Sequence, residues 1–417
     1  MVPSRPRPRA MADNKLTPKY ELLVDGSAAD PALLESILSI RVEQHLELAD
    51  SIEVRLSNES LEWTEGDMLK EGVSLTVKLG HEETELTTVA NAEVVRRDCD
   101  FPERGPSVVT VVAYDREHRL KRGIYNRVFT ETKVSDVVSQ MSSDAGLTAD
   151  VEDTQIQHPF IFQCAQSNLA FIREQAMLHG FVVDVDRENS KISFKPADAG
   201  QGAVTTLKWG DNLLALSYRS STDESVNKVV VRGWDLVAKK AVEASADKGK
   251  VNFALDAKDL GSELAKKVYG EREVLYVDVP VTSAAEAQAH ADARINALAM
   301  RYCQGEASCQ GTPEIDAGSV VAIEGCGERV SGSYFVFRTL HHLEPASGYT
   351  THFDFLRAAE RLEPQPQQLP PQLPIEQGPA PTVTKKKKWK GPAVVPAITP
   401  NPVHLVSGGQ ADPADGD

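Results

Sequence analysis

Runs of alternating apolar and polar residues on either side of one short helical stretch restrict most strongly what this chain can fold into. SIEVRLS puts Ile52, Val54 and Leu56 on one face, and VSLTVKLG does the same with Val73, Leu75, Val77 and Leu79. Strand side chains alternate between faces, so each run has an apolar side that needs a second layer or closure into a barrel. The stretches LLALSYRSS, SVNKVVVRGWDL and 320–355 repeat the pattern in the second half. Between the first runs, Leu33, Leu34, Ile37 and Leu38 are spaced for a helix while Ile40 and Val42 are extended, which predicts a short helical turn followed by a strand.

The middle of the chain changes period. Ser135 is placed to cap a helix that carries Val137, Val138 and Met141 on one side and ends at Gly146. In FIFQCAQSNLAFIREQAMLHGF (160–181), Ser167 and Asn168 are N-cap residues, Leu169, Phe171, Ile172, Ala176 and Met177 fall near helical spacing, and Gly180 is the stop. The stripe reads as core rather than a cofactor box. A hairpin turning near 188–190 follows, and then a linker at 196–202. Later, 283–302 is an Ala-rich helix that opens with Ser283 ahead of Glu286, a capping-box pattern. Trp209 and Trp234, each beside a Gly, read as barrel-core or rim anchors, with subunit contacts as the minority reading.

A length of 417 residues suits two or three domains. With 45 basic against 61 acidic residues the net charge is −16, which argues against a surface that wraps nucleic acid. No apolar run reaches about 18 residues, and MVPSRPRPRA has Arg and Pro where a signal peptide needs an apolar core, so neither a membrane span nor export is expected. Met11 is an alternative start.

Five scattered cysteines read as reduced thiols rather than a disulfide framework. The sharper reading, a zinc site of Cys303, Cys309 and Cys326 with His341 or His342, lacks CxxC spacing. Two adjacent histidines on a strand also point to opposite faces. No metal and no cofactor are expected. The sequence contains no GxSxG, HExxH, P-loop or GxGxxG before a helix, and the pairs Asp115 with Glu117 and Asp184 with Asp186 read as surface carboxylates, so no enzyme is expected.

After Arg361 the chain becomes rich in Pro and Gln, which suits neither helix nor ladder. The basic run Lys385, Lys386, Lys387 and Lys388 with Trp389 is read either as a solvated patch or as a docking peptide for an acidic neighbour, anchored by the indole.

Several stretches occur in a recognisable order: ADSIEVRLSN (49–58), WTEGDMLKEGVSLTVKLG (63–80), VVTVVAYDREHRLKRG (108–123), the 160–181 helix, and IDAGSVVAIEGCGERVSGSYFVFRTLHHLEPASGYTTHFDFLRA (315–358). Over roughly residues 20–361 the chain resembles the late control D family of tail hub proteins from contractile phages, and the hub part of valine-glycine repeat G proteins of type VI secretion.

The resemblance implies a mainly β fold with an α+β insertion. Two tube-protein-like β-barrel domains, 20–125 and 201–361, would flank a small α+β domain, 126–200; composition adds the expectation of a disordered arm at 1–19 and a flexible Pro- and Lys-rich tail at 362–417. The resemblance also implies a structural baseplate hub, assembled in the cytoplasm into a virion tail or tail-like particle. Three chains would offer six barrels and join the six-fold inner tube to the three-fold central spike. Partners would be the chain itself as a homotrimer, the tube protein, a spike protein on a separate polypeptide, and baseplate wedge components. A bore lined with Asp and Glu is a further expectation from the acidic balance. The alternatives are a glycan- or cell-wall-binding module, for which 6% aromatic content is poor material, and the hub part of a type VI spike.

Overall fold

The computed structural model describes residues 17–360 apart from 187–190, 199, 236–237 and 346–347. The tail from 362 lies outside the described residues, as does the arm expected at 1–19 except its last three positions. The first strand already begins at Pro18.

Besides a two-residue strand, Ser27–Ala28, that pairs with the first, the first half builds six longer strands: β1 (Pro18–Val24), β2 (Ile37–His45), β3 (Leu48–Ser57), β4 (Ser74–His81), β5 (Thr87–Asp100) and β6 (Val108–Tyr114). A short helix, Pro31–Ser36, precedes β2 as expected. Asp30 Oδ1 accepts from Ala32 N at 2.8 Å, and Pro31 sits in the first turn, where a missing N–H costs nothing. The strands lie side by side in the order β2-β3-β6-β5-β4-β1, every neighbour antiparallel. The apolar sets anticipated on β3 and β4 are buried with Leu22, Ile40, Val42, Val111 and Ala113. Each such Val, Leu or Ile contributes about 1.5–3 kcal/mol. Gln44 on β2 donates from Nε2 to Val89 O on β5 at 2.8 Å, and these strands are not neighbours, so the sheet curls over its own core.

The second half has six more: β7 (Thr205–Lys208), β8 (Leu213–Ser220), β9 (Cys303–Gln310), β10 (Val320–Glu324), β11 (Gly332–Glu344) and β12 (Gly348–Arg357). Their order, β8-β9-β12-β11-β10-β7, is that of the first half moved on by six; only the β7–β10 pair, which is parallel, differs in sense. The irregularities match as well. β5 slips against β6 between Val94 and Arg96, and β11 slips against β12 between Val336 and Arg338. Val94 exchanges hydrogen bonds with Val73 O (2.8 Å) and Gly72 N (2.7 Å), as Val336 does with Ser319 O (2.9 Å) and Gly318 N (2.7 Å). Gly72 and Gly318 have φ of +90° and +91°, a region that excludes most side chains. β2 slips against β3 around Leu38, and β8 against β9 around Leu214. The chain therefore carries one six-strand unit twice. The two are fused, because Arg338–Leu343 of β11 pairs antiparallel with Ile40–His45 of β2 inside one 13-stranded sheet.

Two segments interrupt this plan. Between β6 and β7 lie a 3₁₀ turn (Arg116–Lys121), a two-stranded ribbon (Tyr125–Lys133 with Gln157–Gln166), helices α1 (Val134–Asp144) and α2 (Asn168–His179), and a three-stranded sheet. Val137, Val138, Met141, Leu169, Phe171, Ile172, Ala176 and Phe194 form its core. α2 begins and ends as expected: Ser167 Oγ accepts from Ala170 N at 3.2 Å, and Gly180 is left-handed at φ 69°. Met177, however, is 66% exposed and Leu178 takes the buried place. Ser135 is not a cap but lies inside α1, where its N–H donates to Thr154 Oγ1. The hairpin arms Phe181–Val185 and Lys191–Pro196 pair as expected, with the turn at 188–190 outside the described residues.

Between β8 and β9, strands Lys228–Asp235, Lys240–Asp247 and Glu273–Tyr276 form a separate sheet covered by helix α3 (Ala284–Met300). Val229, Val231, Val242, Ala246, Ala287, Ala291 and Ile295 are its core. The alternation of SVNKVVVRGWDL thus belongs to this separate sheet and not to the second six-strand unit, contrary to the sequence reading. Period two reports a covered face without saying what covers it. Ser283 Oγ accepts from Glu286 N at 3.2 Å, while the Glu286 carboxylate accepts from Thr282 N at 2.8 Å, one residue earlier than a capping box requires.

Candidate functional site

The polar residues closest to a site gather at the turn that leaves β6. Asp115 caps the 3₁₀ turn: Oδ1 accepts from Glu117 N at 2.9 Å and Oδ2 from Asp50 N at 2.8 Å. Glu117, 2% exposed, accepts from Arg173 of α2 at 2.5 Å. Burial pushes both acids up, Asp115 to about 7 and Glu117 to about 8; the N–H groups of Asp50 and Glu117 hold Asp115 back, Asp115 raises Glu117 further, and Asp184 adds to both against the pull of Arg173. The reading of Asp115 and Glu117 as surface carboxylates is therefore corrected. They clamp α2 onto the first unit. Beside them, Glu43, His45, Tyr114, Lys121, Ser167 and Arg173 line a cavity of 460 Å³. Glu93 collects Arg116, His118 and Arg119 at 2.5–3.2 Å. Burial pushes its carboxyl up, but the bonds from Arg119 and His118 outweigh that and leave it below the usual range.

A second cluster joins the ribbon and α2 to α3. His158 Nδ1 lies 3.7 Å from Glu286 Oε1, and the rings of His179 and His290 are 6.0 Å apart. Burial pushes His290 down to about 4; His179, Arg294 and His158 act in the same direction and Glu286 opposes.

The cysteines and histidines of the zinc reading have other neighbours. Cys303 Sγ is 3.1 Å from Tyr218 Oη, Cys309 Sγ lies near Thr351 O, and Cys326 Sγ lies near Glu324 O. His341 is buried with Tyr349 Oη at 2.8 Å, while His342 faces the other side of the strand, 3.5 Å from Glu344, as alternation requires. Among the described residues no three His, Cys, Asp or Glu side chains are placed to hold a metal ion. Trp209 follows β7 at the rim and Trp234 lies on the separate three-stranded sheet; each is about half exposed, so neither is a barrel-core anchor. The docking residues Lys385, Lys386, Lys387, Lys388 and Trp389 lie outside the described residues.

The open surfaces are apolar in places that the sequence reading did not single out. On the outer face of the ribbon Phe160, Phe162 and Val128 are 63%, 51% and 60% exposed, with Phe162 paired to Val128. The alternation of FIF was the available sign. Among the described residues no helix is long and apolar enough to cross a membrane.

A sequence model of the family described as Alg8 N-terminal domain matches residues 15–345. The chain belongs to that family. Solved structures share the fold of this chain. A 43 kDa prophage tail protein from Shewanella oneidensis superposes with a TM-score of 0.61 at 14% identity, over 82% of this chain and 99% of its own. A tail protein from Neisseria meningitidis gives 0.60 at 11%, over 82% and 97%. An Escherichia coli component of the type VI secretion system, itself similar in structure to phage tail proteins, gives 0.52 at 11%, over 84% and 80%. No curated protein matches the chain. The fold expected from the resemblance is thus shared with these tail proteins.

Proposed function

We propose that this chain is a structural hub of a contractile phage tail or phage-tail-like injection system, three copies closing into a ring that joins a six-fold inner tube to a three-fold spike. The observation that carries the reading is the repeated unit. Two six-strand units per chain let three chains meet a six-fold tube with six similar faces and still present three-fold symmetry to a spike. Tube, spike and baseplate wedge proteins are then its partners, and its work is done by surfaces rather than by catalysis.

In this reading 20–125 and 201–361 are the two tube-like domains, 126–200 is the α+β domain, and residues 226–298 are an insertion in the second. The tail from 362, with Lys385–Lys388 and Trp389, docks an acidic neighbour. Light scattering on the purified chain, with negative-stain images, tests the ring. A mass of three times 45.4 kDa and a central hole support it. A single-chain mass that persists with tube and spike proteins present sinks it.

A further inference from the structure

The joint between the two units inside one chain is a template for the joint between chains. β11 receives β2 along Arg338–Leu343, the part of the strand beyond its pairing with β10. The equivalent part of β5, from Arg96 to Asp100, lies beyond its pairing with β4 and has β6 on its other side. Likewise β2 has β3 on one side and β11 on the other, whereas its equivalent β8 has β9 and, at its first residue Leu213, a single bridge to Trp209 that leaves 214–220 open. Among the described residues no strand pairs with either of these two edges. Each chain therefore has one half-joint of each kind left over. An open edge of this sort is a template for another strand.

We propose that Arg96–Asp100 of β5 in one copy pairs antiparallel with β8 of a second copy, in the register that β11 and β2 show within the chain. This rests on the ring proposed above and names its contact. The matched slips set the register: Arg96 stands where Arg338 does, and Ala215 where Ser39 does. The observed pair Leu340 with Glu43 then becomes Asp98 of one copy opposite Arg219 of the next, and His341 with Val42 becomes Cys99 opposite Tyr218.

The side chains suit this register. Asp98 and Arg219 are both exposed and of opposite sign, and opposite charges facing each other across a ladder stabilise it. Asp98 already holds Arg96 at 2.9 Å, so its carboxylate would lie between two guanidinium groups, with Asp100 on the far side of Arg219. Just past β5, Phe101, 60% exposed, comes opposite Leu216, beside the 52% exposed Leu214. The contact is head to tail, so it consumes one edge of each kind per chain and ends only when a ring closes.

The test is a charge exchange in the full-length protein, read as mass by light scattering. Asp98→Arg alone and Arg219→Asp alone each place like charges opposite one another and are expected to turn the assembly into single chains; the two together are expected to restore it. In a Cys164→Ser background, which removes the exposed native thiol, oxidation of a protein carrying Asp98→Cys with Arg219→Cys is expected to link copies covalently, which neither single variant does. If the unsubstituted protein assembles and keeps its mass in both single variants, the β5–β8 contact is overturned while the ring stands. If the unsubstituted protein is a single chain even with tube protein present, the ring and this contact fall together. A closed assembly of another copy number that dissolves in the single variants and returns in the double one upholds the contact and overturns the count of three.

Discussion

Where β12 of the second unit packs Phe355 opposite Gly305, β6 of the first packs Ala113 opposite Ile52. Large faces small in both, with the sizes exchanged. One position beyond Leu356 the second unit buries Arg357, stacked 4.3 Å over Tyr334, and at the equivalent place the first buries Asp115. What the units share is backbone: the slips, the left-handed glycines and the strand order. Their cores are filled by different side chains to the same end, as expected when volume and pattern matter more than identity.

The comparison breaks first at the aromatic core. Phe355→Ala should cost about 3–5 kcal/mol, because a buried ring over a glycine leaves a hole that no neighbour's side chain can fill. Urea unfolding would show it, and a loss below about 1 kcal/mol would mean that the second unit is packed more loosely than the first.

The charged ends of the units should differ in their response to pH. Asp115 and Glu117 have pKa values raised in the folded state, so their contribution is complete below about pH 4, where the unfolded chain also binds the protons, and is lost as pH rises through about 7 to 8. Glu117→Gln should therefore flatten the fall in stability between about pH 5 and 8, by on the order of 2 kcal/mol. An unchanged slope in thermal melts across that range would show that the slope has another origin.

The shared glycines sharpen the likeness. Gly72→Ala and Gly318→Ala should each cost about 1–2 kcal/mol, since both positions need φ near +90° and neither has a neighbour closer than 3.4 Å to the added carbon. Equal losses in chemical denaturation support one backbone device used twice; a silent change at one of them separates the units.

The smallest effect concerns the fused joint. Arg338 contacts Glu43 at 2.6 Å and Asp354 at 3.2 Å, but all three side chains are about a quarter or more exposed, so Arg338→Ala should cost about 1 kcal/mol or less. A loss several times larger would show that the joint between the units depends on this pair rather than on its backbone ladder.

Much of the local structure follows from short-range chemistry. Ser167 and Gly180 bound α2, Asp30 and Pro31 start the helical turn before β2, and His341 and His342 take opposite faces, because caps, left-handed turns and strand alternation act over a few residues. Burial of acidic side chains was not legible in this way. Nothing near Asp115 or Glu117 in sequence announces Arg173, which arrives from another helix 56 positions away. The insertion around Trp234 was misplaced for the same reason: its alternation is real, but α3, which covers it, comes some fifty residues later.

The amino-acid sequence by itself determined strands, caps and turns, and its order of motifs carried the resemblance to tail hubs. Only the tertiary structure decided that the chain repeats one unit, that β11 joins β2, and that among the described residues two strand edges have no partner. Repeat units whose cores exchange Phe with Gly for Ala with Ile keep no readable likeness in sequence, while the hydrogen bonds of a slipped strand need the backbone alone.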